Sequence, residues 1–500
     1  MPMPRDLFTF VVLAVAAVVA GIVGLTASAG LVDAMPFAWI VAAAAAALAV
    51  RRLSRPDAHA VVDAAPRGYR LAFAAGAVLL LVQLVPLTAF IIDPTIAAWR
   101  PSPWTPMPSS HACSTAYWTA CEAAAAGDGI YDENLSSMPQ ADPARPRVPR
   151  PMGPLAIDPY EYPPSFLPLP ELLRRVTGDY WRFRRLWFAL TLASVVGIAV
   201  LLARRLDRRT GTHAVWLTPY LLTAPTMIAT LQIGNVQLAT IAAALGAMLL
   251  FERRRFAAGG LALGCVAAGK LYPGLLLVYL LCRREWRAAG WTVGWAAAFA
   301  LVSVGLYGVT PWGEFLHELP RLLSGEAFSA FRNPNAIANN QSVPGLVFKL
   351  KLLGVPHMDF TAMRIVGWLY TAGILAATAW LALRARPHGR EPIAWLVILF
   401  LATMRSPFLP TYGGFPTLWL ATLVLAASAG RPAVVRATIA ILAVVSISMG
   451  IGFAPPLVNA TWTTVQTFAA FALTLMACAS LGTSPPVAAR ATAAPDMVSA

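Results

Sequence analysis

Charge is what this 500-residue chain has least of. Only 12% of its residues are Asp, Glu, Lys or Arg, against about a quarter in an ordinary soluble domain. That shortage excludes a protein with a large solvated surface. Cysteine is scarce too, with five in all. Cys265, Cys282 and Cys478 lie in or at the edge of apolar runs. Cys113 and Cys121 stand eight apart in a stretch that reads as helix, about 12 Å along its axis and beyond disulfide reach. A disulfide framework is therefore not expected. Metal-ligand spacing is also missing, because His111 with Cys113 supplies only half of a zinc set. Neither a metal nor a cofactor is expected. There is no internal repeat of fixed period, so the matching halves that many transporters carry are absent.

Apolar residues fill the space that charge leaves. They make up 58% of the chain, and the mean hydropathy is +0.64. Runs able to cross a bilayer recur near 8–25, 31–50, 71–92, 186–203, 213–231, 235–251, 257–282, 289–309, 364–383, 392–404, 415–429, 437–453 and 463–482. The run 392–404 is short, and 257–282 is broken by Lys270 and Pro273, so 11 to 14 spans are expected. The fold class this predicts is an all-α polytopic membrane protein. The first run reads as an uncleaved helix, with cleavage after Ala27-Ser28-Ala29 as the alternative.

Orientation follows from the arginines. With the N-terminus in the cytoplasm, the inside segments hold 22 of the 38 lysines and arginines. They cluster at span ends, as in Arg51-Arg52, Arg204-Arg205, Arg253-Arg254-Arg255 and Arg283-Arg284. This is the positive-inside pattern. It places both termini in the cytoplasm of a multi-pass inner-membrane protein, and it accounts for the net charge of +15 without nucleic acid. Arg253–Arg255 and Arg283–Arg287 both read as cytoplasmic although one apolar run joins them. The run 257–282 is therefore expected to fold back at Gly269-Lys270-Leu271-Tyr272-Pro273.

The chain divides into N-terminal spans (1–92), a long outer loop (93–185), central spans (186–309), a second outer loop (310–363), C-terminal spans (364–482) and a Pro/Ala-rich tail (483–500). In the first loop, Ala112 to Gly127 reads as a helix lying along the membrane surface, with Tyr117 and Trp118 at the boundary. A proline-rich stretch, 138–154, follows, and then an apolar segment, 165–173, that suits a second surface or re-entrant helix.

Chemistry concentrates in a few places. Lys270 is the one acidic or basic residue well inside an apolar run, where a charge costs at least about 2.5–3.5 kcal/mol at a helix centre. It reads as a functional cation, or as the tip of the fold-back reaching the headgroups. In Asp158-Pro159-Tyr160-Glu161-Tyr162-Pro163-Pro164, prolines extend the backbone and set two carboxylates between tyrosines. Such carboxylates suit a general base and a binder of sugar hydroxyls; a rigid helix-entry turn with solvated acids is the plainer reading. Asp93 closes the third span as a second candidate base. His111 could bind phosphate or a hydroxyl. Gly234-Asn235-Val236-Gln237 and Asn339-Asn340-Gln341-Ser342 are amide clusters suited to hydroxyls or to helix ends.

Taken in order, four stretches resemble glycosyltransferase family 87, membrane enzymes of the GT-C architecture. They are Tyr117-Trp118-Thr119-Ala120 leading to Ile130-Tyr131-Asp132; Tyr160-Glu161-Tyr162-Pro163-Pro164; Gly234-Asn235-Val236-Gln237 with Gly269-Lys270-Leu271-Tyr272-Pro273; and Asn340-Gln341-Ser342-Val343. The resemblance implies a GT-C-like bundle and inverting transfer of a hexose, often mannose. The donor would be a polyprenyl-phosphate sugar, and the acceptor a lipid-linked or glycan molecule on the outer face of the membrane. A carboxylate would act as base: Asp158 or Asp93. Glu161, Tyr160, Tyr162, His111, Tyr117, Asn235, Gln237, Asn340 and Gln341 would bind substrate, and Lys270, Arg332 or Arg405 would hold the donor phosphate. The chain departs from the family where an Asp opens the first outer helix, four residues before the aromatic pair. Cys113 stands there. Two extra spans also precede the family's expected first helix. A transporter or flippase of a lipid-linked sugar is the alternative reading.

Overall fold

The computed structural model describes residues 87–95, 111–132, 135–137, 152–206, 208–384, 390–428, 431–446 and 455–481, with residues 75, 76, 80, 83 and 84. The expected spans 8–25 and 31–50, most of the stretch 138–154 and the tail 483–500 lie outside the described residues.

The architecture is helical apart from one short parallel pair, β1 (His111–Ala112) with β2 (Ala156–Ile157). In the first outer loop, α1 (Ser114–Ala126) is alanine-rich and stops at Gly127, whose φ of 78° is the left-handed cap that glycine adopts at little cost. After a 3-10 turn at Pro164–Phe166, α2 (Pro168–Thr177) runs with a proline in its first turn. Leu169, Leu172 and Val176 leave an apolar face of α2 exposed, as a helix lying on a membrane surface would.

Four described helices are long and apolar enough to cross a membrane: α3 (Tyr180–Arg205), α9 (Trp286–Tyr307), α13 (Phe360–Arg384) and α17 (Pro456–Leu481). The Asp179 side chain caps α3 by accepting from Arg182 N at 3.0 Å. Between α3 and α9 come α4 (Arg208–Thr223), α5 (Pro225–Ile233), α6 (Gln237–Glu252), α7 (Phe256–Gly269) and α8 (Leu275–Cys282). Pro225 separates α4 from α5, and the two form one apolar path bent by 54°. The second outer loop carries α10 (Thr310–Ser324), α11 (Pro334–Asn339) and α12 (Leu346–Leu352). The C-terminal part adds α14 (Glu391–Thr403), α15 (Phe415–Ala427) and α16 (Pro432–Ser446). The expected apolar runs within the described residues are therefore helical, but several are shorter than a full crossing. Beyond the expected break in 257–282 and the expected short run 392–404, the run 213–231 is bent, and α6, α15 and α16 have only 16, 13 and 15 residues.

Apolar burial explains the arrangement. Every residue of α14 is buried, so this short run is the centre of the bundle. On α9 and α13, by contrast, Leu301, Trp368, Leu369 and Leu383 are 61–74% exposed. Apolar helices whose outer faces lack protein neighbours have lipid as the remaining partner.

The fold-back is present. The α7 helix ends at Gly269, Lys270 follows in extended conformation, a 3-10 turn runs from Tyr272 to Gly274, and α8 returns. Arg253 and Arg283, which flank this hairpin, line one cavity. Lys270 at the tip instead reaches Gln237, the first residue of α6. One expectation needs correction. Tyr117 and Trp118 are only 0% and 7% exposed, so α1 does not lie along the surface. Its aromatics face an inner cluster with Phe166, Phe183 and Trp187, because α2 and α3 close over them.

Candidate active site

The β1–β2 pair brings the start of α1 beside the segment 158–164. Thr115 fixes the junction: its Oγ1 donates to the Ala112 carbonyl at 2.6 Å and accepts from Asp158 N at 3.0 Å. Beyond it the backbone is pinned from two sides. Tyr160 Oη donates to the Pro163 carbonyl at 3.0 Å, and Tyr131 Oη donates to the Tyr162 carbonyl at 2.7 Å. Tyr162 stacks on Phe166 with ring centroids 5.0 Å apart and meets Tyr117 edge-on at 5.4 Å.

A hydrogen-bond chain crosses this wall. Val236 N donates to Tyr117 Oη at 3.1 Å, and Tyr117 Oη lies 3.2 Å from Tyr162 Oη. Either phenol can donate to the other, so the pair can pass a proton in both directions. Gly234 makes the approach of α5 to α1 feasible. Its φ is +68°, and a Cβ there would stand 2.9 Å from Ser114 Cβ.

Asn235 then works on three sides. Its Oδ1 accepts from Gln237 N at 2.9 Å, starting α6, and from Lys270 Nζ at 3.4 Å. Its Nδ2 donates to Cys113 Sγ at 3.3 Å. Lys270 Nζ also donates to Gln237 Oε1 at 2.9 Å and lies 5.4 Å from the centre of the Tyr162 ring. Both hydrogen-bond partners of the ammonium are neutral amides, so its charge remains available to an anion. The other amide atom, Gln237 Nε2, is buried and finds no protein partner among the described residues. The hairpin tip is held in place by Ser165 Oγ, which donates to the Ala268 carbonyl at 2.7 Å. A Cβ on Gly269 would stand 2.9 Å from Phe166.

Two carboxylates border the group. Asp158 is buried, and its backbone is tied to Thr115. The Glu161 side chain remains reachable by solvent but is walled in by protein. That burial pushes its pKa up to about 8; Asp158 pushes the same way and Lys270 pulls it back. A solvent-reachable carboxyl within charge reach of a cation that is hydrogen-bonded to two amides, beside a row of phenols, can accept a proton while an anion is held alongside.

Residues 160–407 match the model of glycosyltransferase family 87. The chain belongs to this family. It is thus a membrane glycosyltransferase, and its matched region begins within the aromatic segment just described. Neither a curated protein nor a solved structure matches the chain.

Within this family 87 protein, the structure groups Asp158, Tyr160, Glu161, Tyr162, Tyr117, Asn235, Gln237 and Lys270. His111 joins through its backbone in β1, and its side chain is outside the described residues. Other candidates stand apart. Asp93 accepts from Thr95 N at 2.9 Å and Thr95 Oγ1 at 2.6 Å, and these bonds hold its carboxyl below the usual range, with Arg185 as its charged neighbour. Asn340 is fully buried and structural: it donates to the Pro407 carbonyl at 2.9 Å and accepts from Leu409 N at 2.9 Å and Ser342 N at 3.0 Å. Gln341 donates to Gln466 Oε1 at 3.3 Å, and Arg405 Nε donates to Thr371 Oγ1 at 2.6 Å. Arg332 is exposed at the end of a 3-10 turn, Ser329–Arg332, apart from the cluster.

Cys113, at the place where the family's acid is expected, does face the cluster: it meets Asn235 and lies within charge reach of Lys270, Tyr117 and Tyr162. Tyr131 and Tyr180 were missed as site residues. Tyr180 lies 3.0 Å by its hydroxyl from Ser114 Oγ and within charge reach of Asp158. Tyr131 stands in the Ile130-Tyr131-Asp132 stretch but carried no role there, and only the tertiary contacts place either residue at the site.

Proposed function

We propose that the protein transfers a hexose, with mannose favoured, from a polyprenyl-phosphate sugar to a lipid-linked or glycan acceptor, with inversion at the anomeric carbon. The observation that carries this reading is the accessible Glu161 carboxyl beside the Lys270–Gln237–Asn235 group. Glu161 is the base. Asp158, the first choice from sequence, is the more enclosed of the two acids and serves to raise the basicity of Glu161. Lys270 and the partnerless Nε2 of Gln237 hold the donor phosphate.

The step balances as follows. The acceptor hydroxyl gives its proton to Glu161 as its oxygen bonds to the anomeric carbon. The bond from that carbon to the phosphate oxygen breaks, and polyprenyl phosphate leaves with the electron pair. Lys270 and the amides stabilise the charge gathering on the leaving phosphate. Tyr160 and Tyr162 present ring faces and a hydroxyl to the sugar.

The depth of the site suits a lipid donor. The α6 helix has 16 residues, a length of about 24 Å, and begins at the site. That is less than the roughly 30 Å of a bilayer's hydrocarbon core. A donor phosphate anchored by a polyprenyl chain would meet Lys270 near the headgroup level. The arginine-rich far end of the bundle favours placing this site outside and both termini in the cytoplasm.

The test is direct. Purified protein with radiolabelled polyprenyl-phosphate mannose and a lipid acceptor extract should release polyprenyl phosphate. Glu161→Gln should lower turnover at least about a hundredfold, the scale of general-base catalysis. Asp158→Asn and Asp93→Asn are assayed beside it. If Glu161→Gln keeps turnover within tenfold of the parent, the base is elsewhere and the assignment fails.

A further inference from the structure

A cavity lies at the end of the bundle away from the active-site group. Its volume is about 680 Å³, within the roughly 300–1,000 Å³ range of small-molecule sites. Two helices join them: α6 runs from Gln237 at the active-site cluster to Glu252 in the cavity lining, about 24 Å, and α3 runs from Tyr180 at the cluster to Arg204 and Arg205 in that lining. The active-site group and this cavity therefore lie at opposite ends of α3 and α6.

Four arginines line the cavity: Arg204, Arg205, Arg253 and Arg283. Arg205 is engaged within the protein, bonding Glu252 at 2.6 and 3.0 Å and Glu391 at 3.4 Å. The lining also holds Arg204, Arg253, Arg283, whose guanidinium lies over the Tyr279 ring at 5.7 Å, and one further acid, Glu285, so that arginine exceeds carboxylate around the cavity. Below this polar rim the wall is apolar, built by Met248, Leu249 and Trp395 among others. Three helices, α3, α6 and α8, end here, and arginine at helix C-termini serves their exposed carbonyls. That role accounts for the arginines but not for a cavity this large with an apolar floor. A cationic rim over an apolar wall, at the membrane surface, matches an amphiphile with an anionic head.

We propose that this cavity binds an anionic phospholipid of the leaflet opposite the active site, with its phosphate on Arg253, Arg283 and Arg204 and the base of its acyl chains against Met248, Leu249 and Trp395. Arg205 stays bonded to Glu252 and Glu391. The excess of arginine over carboxylate favours a phosphatidylglycerol-type head over a zwitterionic one.

Native mass spectrometry of the detergent-solubilised full chain tests this, with dioleoylphosphatidylglycerol as the probe. The parent protein should hold this lipid over dioleoylphosphatidylcholine and dioleoylphosphatidylethanolamine. The double substitution Arg253→Gln with Arg283→Gln should weaken it at least about tenfold, the loss expected on removing charge-assisted bonds. Arg436→Gln, outside the cavity, should bind as the parent does, and Glu285→Gln should bind somewhat more tightly. Equal retention of the three lipids, or unchanged binding by the folded double variant, would overturn the proposal. So would displacement of the lipid by inorganic phosphate alone, since the apolar wall would then contribute nothing. Should the double variant not fold, Glu285→Gln decides: binding no tighter than the parent's counts against the site.

Discussion

At Glu161 two neighbours pull in opposite directions, and that gives the residue a testable signature. Burial and Asp158 raise its pKa to about 8, and Lys270 lowers it. A base must be deprotonated to act, so kcat/KM should climb with pH and level off above about 8. Asp158→Asn removes a raising influence, so the midpoint should move to lower pH. Lys270→Met removes a lowering influence, so the midpoint should move up while KM for the donor increases. Measured pH profiles of the three proteins check this, and midpoints that move together or stay fixed would remove Glu161 from the role. The acids themselves were legible in the sequence, because Asp158-Pro159-Tyr160-Glu161 is dense in functional groups. Which acid does the work was not. Solvent access decides that, because Asp158 is buried and Glu161 is exposed, and tertiary packing rather than local sequence sets the difference.

Elements meet at the site through a few close approaches that tolerate no side chain. Gly234 combines a φ of +68° with a Ser114 contact a Cβ would violate. Gly234→Ala should therefore cost about 1–3 kcal/mol of stability, seen as a lower melting temperature in detergent, and should depress turnover by shifting Asn235. A variant as stable and active as the parent would mean that α5 does not dock on α1 as described. Asn340 offers the opposite case. Its side chain makes three bonds to backbone and joins the second outer loop to residues 407–409. Asn340→Ala leaves buried backbone groups unmet, at about 1–3 kcal/mol each. Melting temperature should fall while the donor KM of the remaining folded protein holds. A raised donor KM without destabilisation would return Asn340 to the list of substrate binders. Sequence could not separate these two amide clusters, since Asn and Gln near a helix end serve a ligand or a loop equally well. Only the partners, Lys270 for Asn235 and Gln237, Pro407 and Leu409 for Asn340, tell them apart.

Across the whole molecule, hydropathy and arginine placement carried most of the plan. The fold-back at Lys270 followed from one conflict in the arginine pattern, and the shared cavity of Arg253 and Arg283 places both ends of the hairpin together. Helix lengths were less legible. An apolar run reads alike whether it crosses lipid or fills a protein core, and α15, expected as a span over 415–429, is a buried helix of only 13 residues. The two-sided arrangement makes a prediction at this scale. Glu326, in the second outer loop, and Arg255, at the start of α7, are both exposed. Glu326→Cys and Arg255→Cys are each introduced into a background whose five native cysteines are replaced by alanine or serine. A membrane-impermeant maleimide should label Glu326→Cys in intact cells and Arg255→Cys only after permeabilisation. If both are labelled from outside, the bundle does not separate these ends, and the site and the arginine-lined cavity would share one face. If the pattern is reversed, the active site faces the cytoplasm, where the inferred outer-face transfer could not take place.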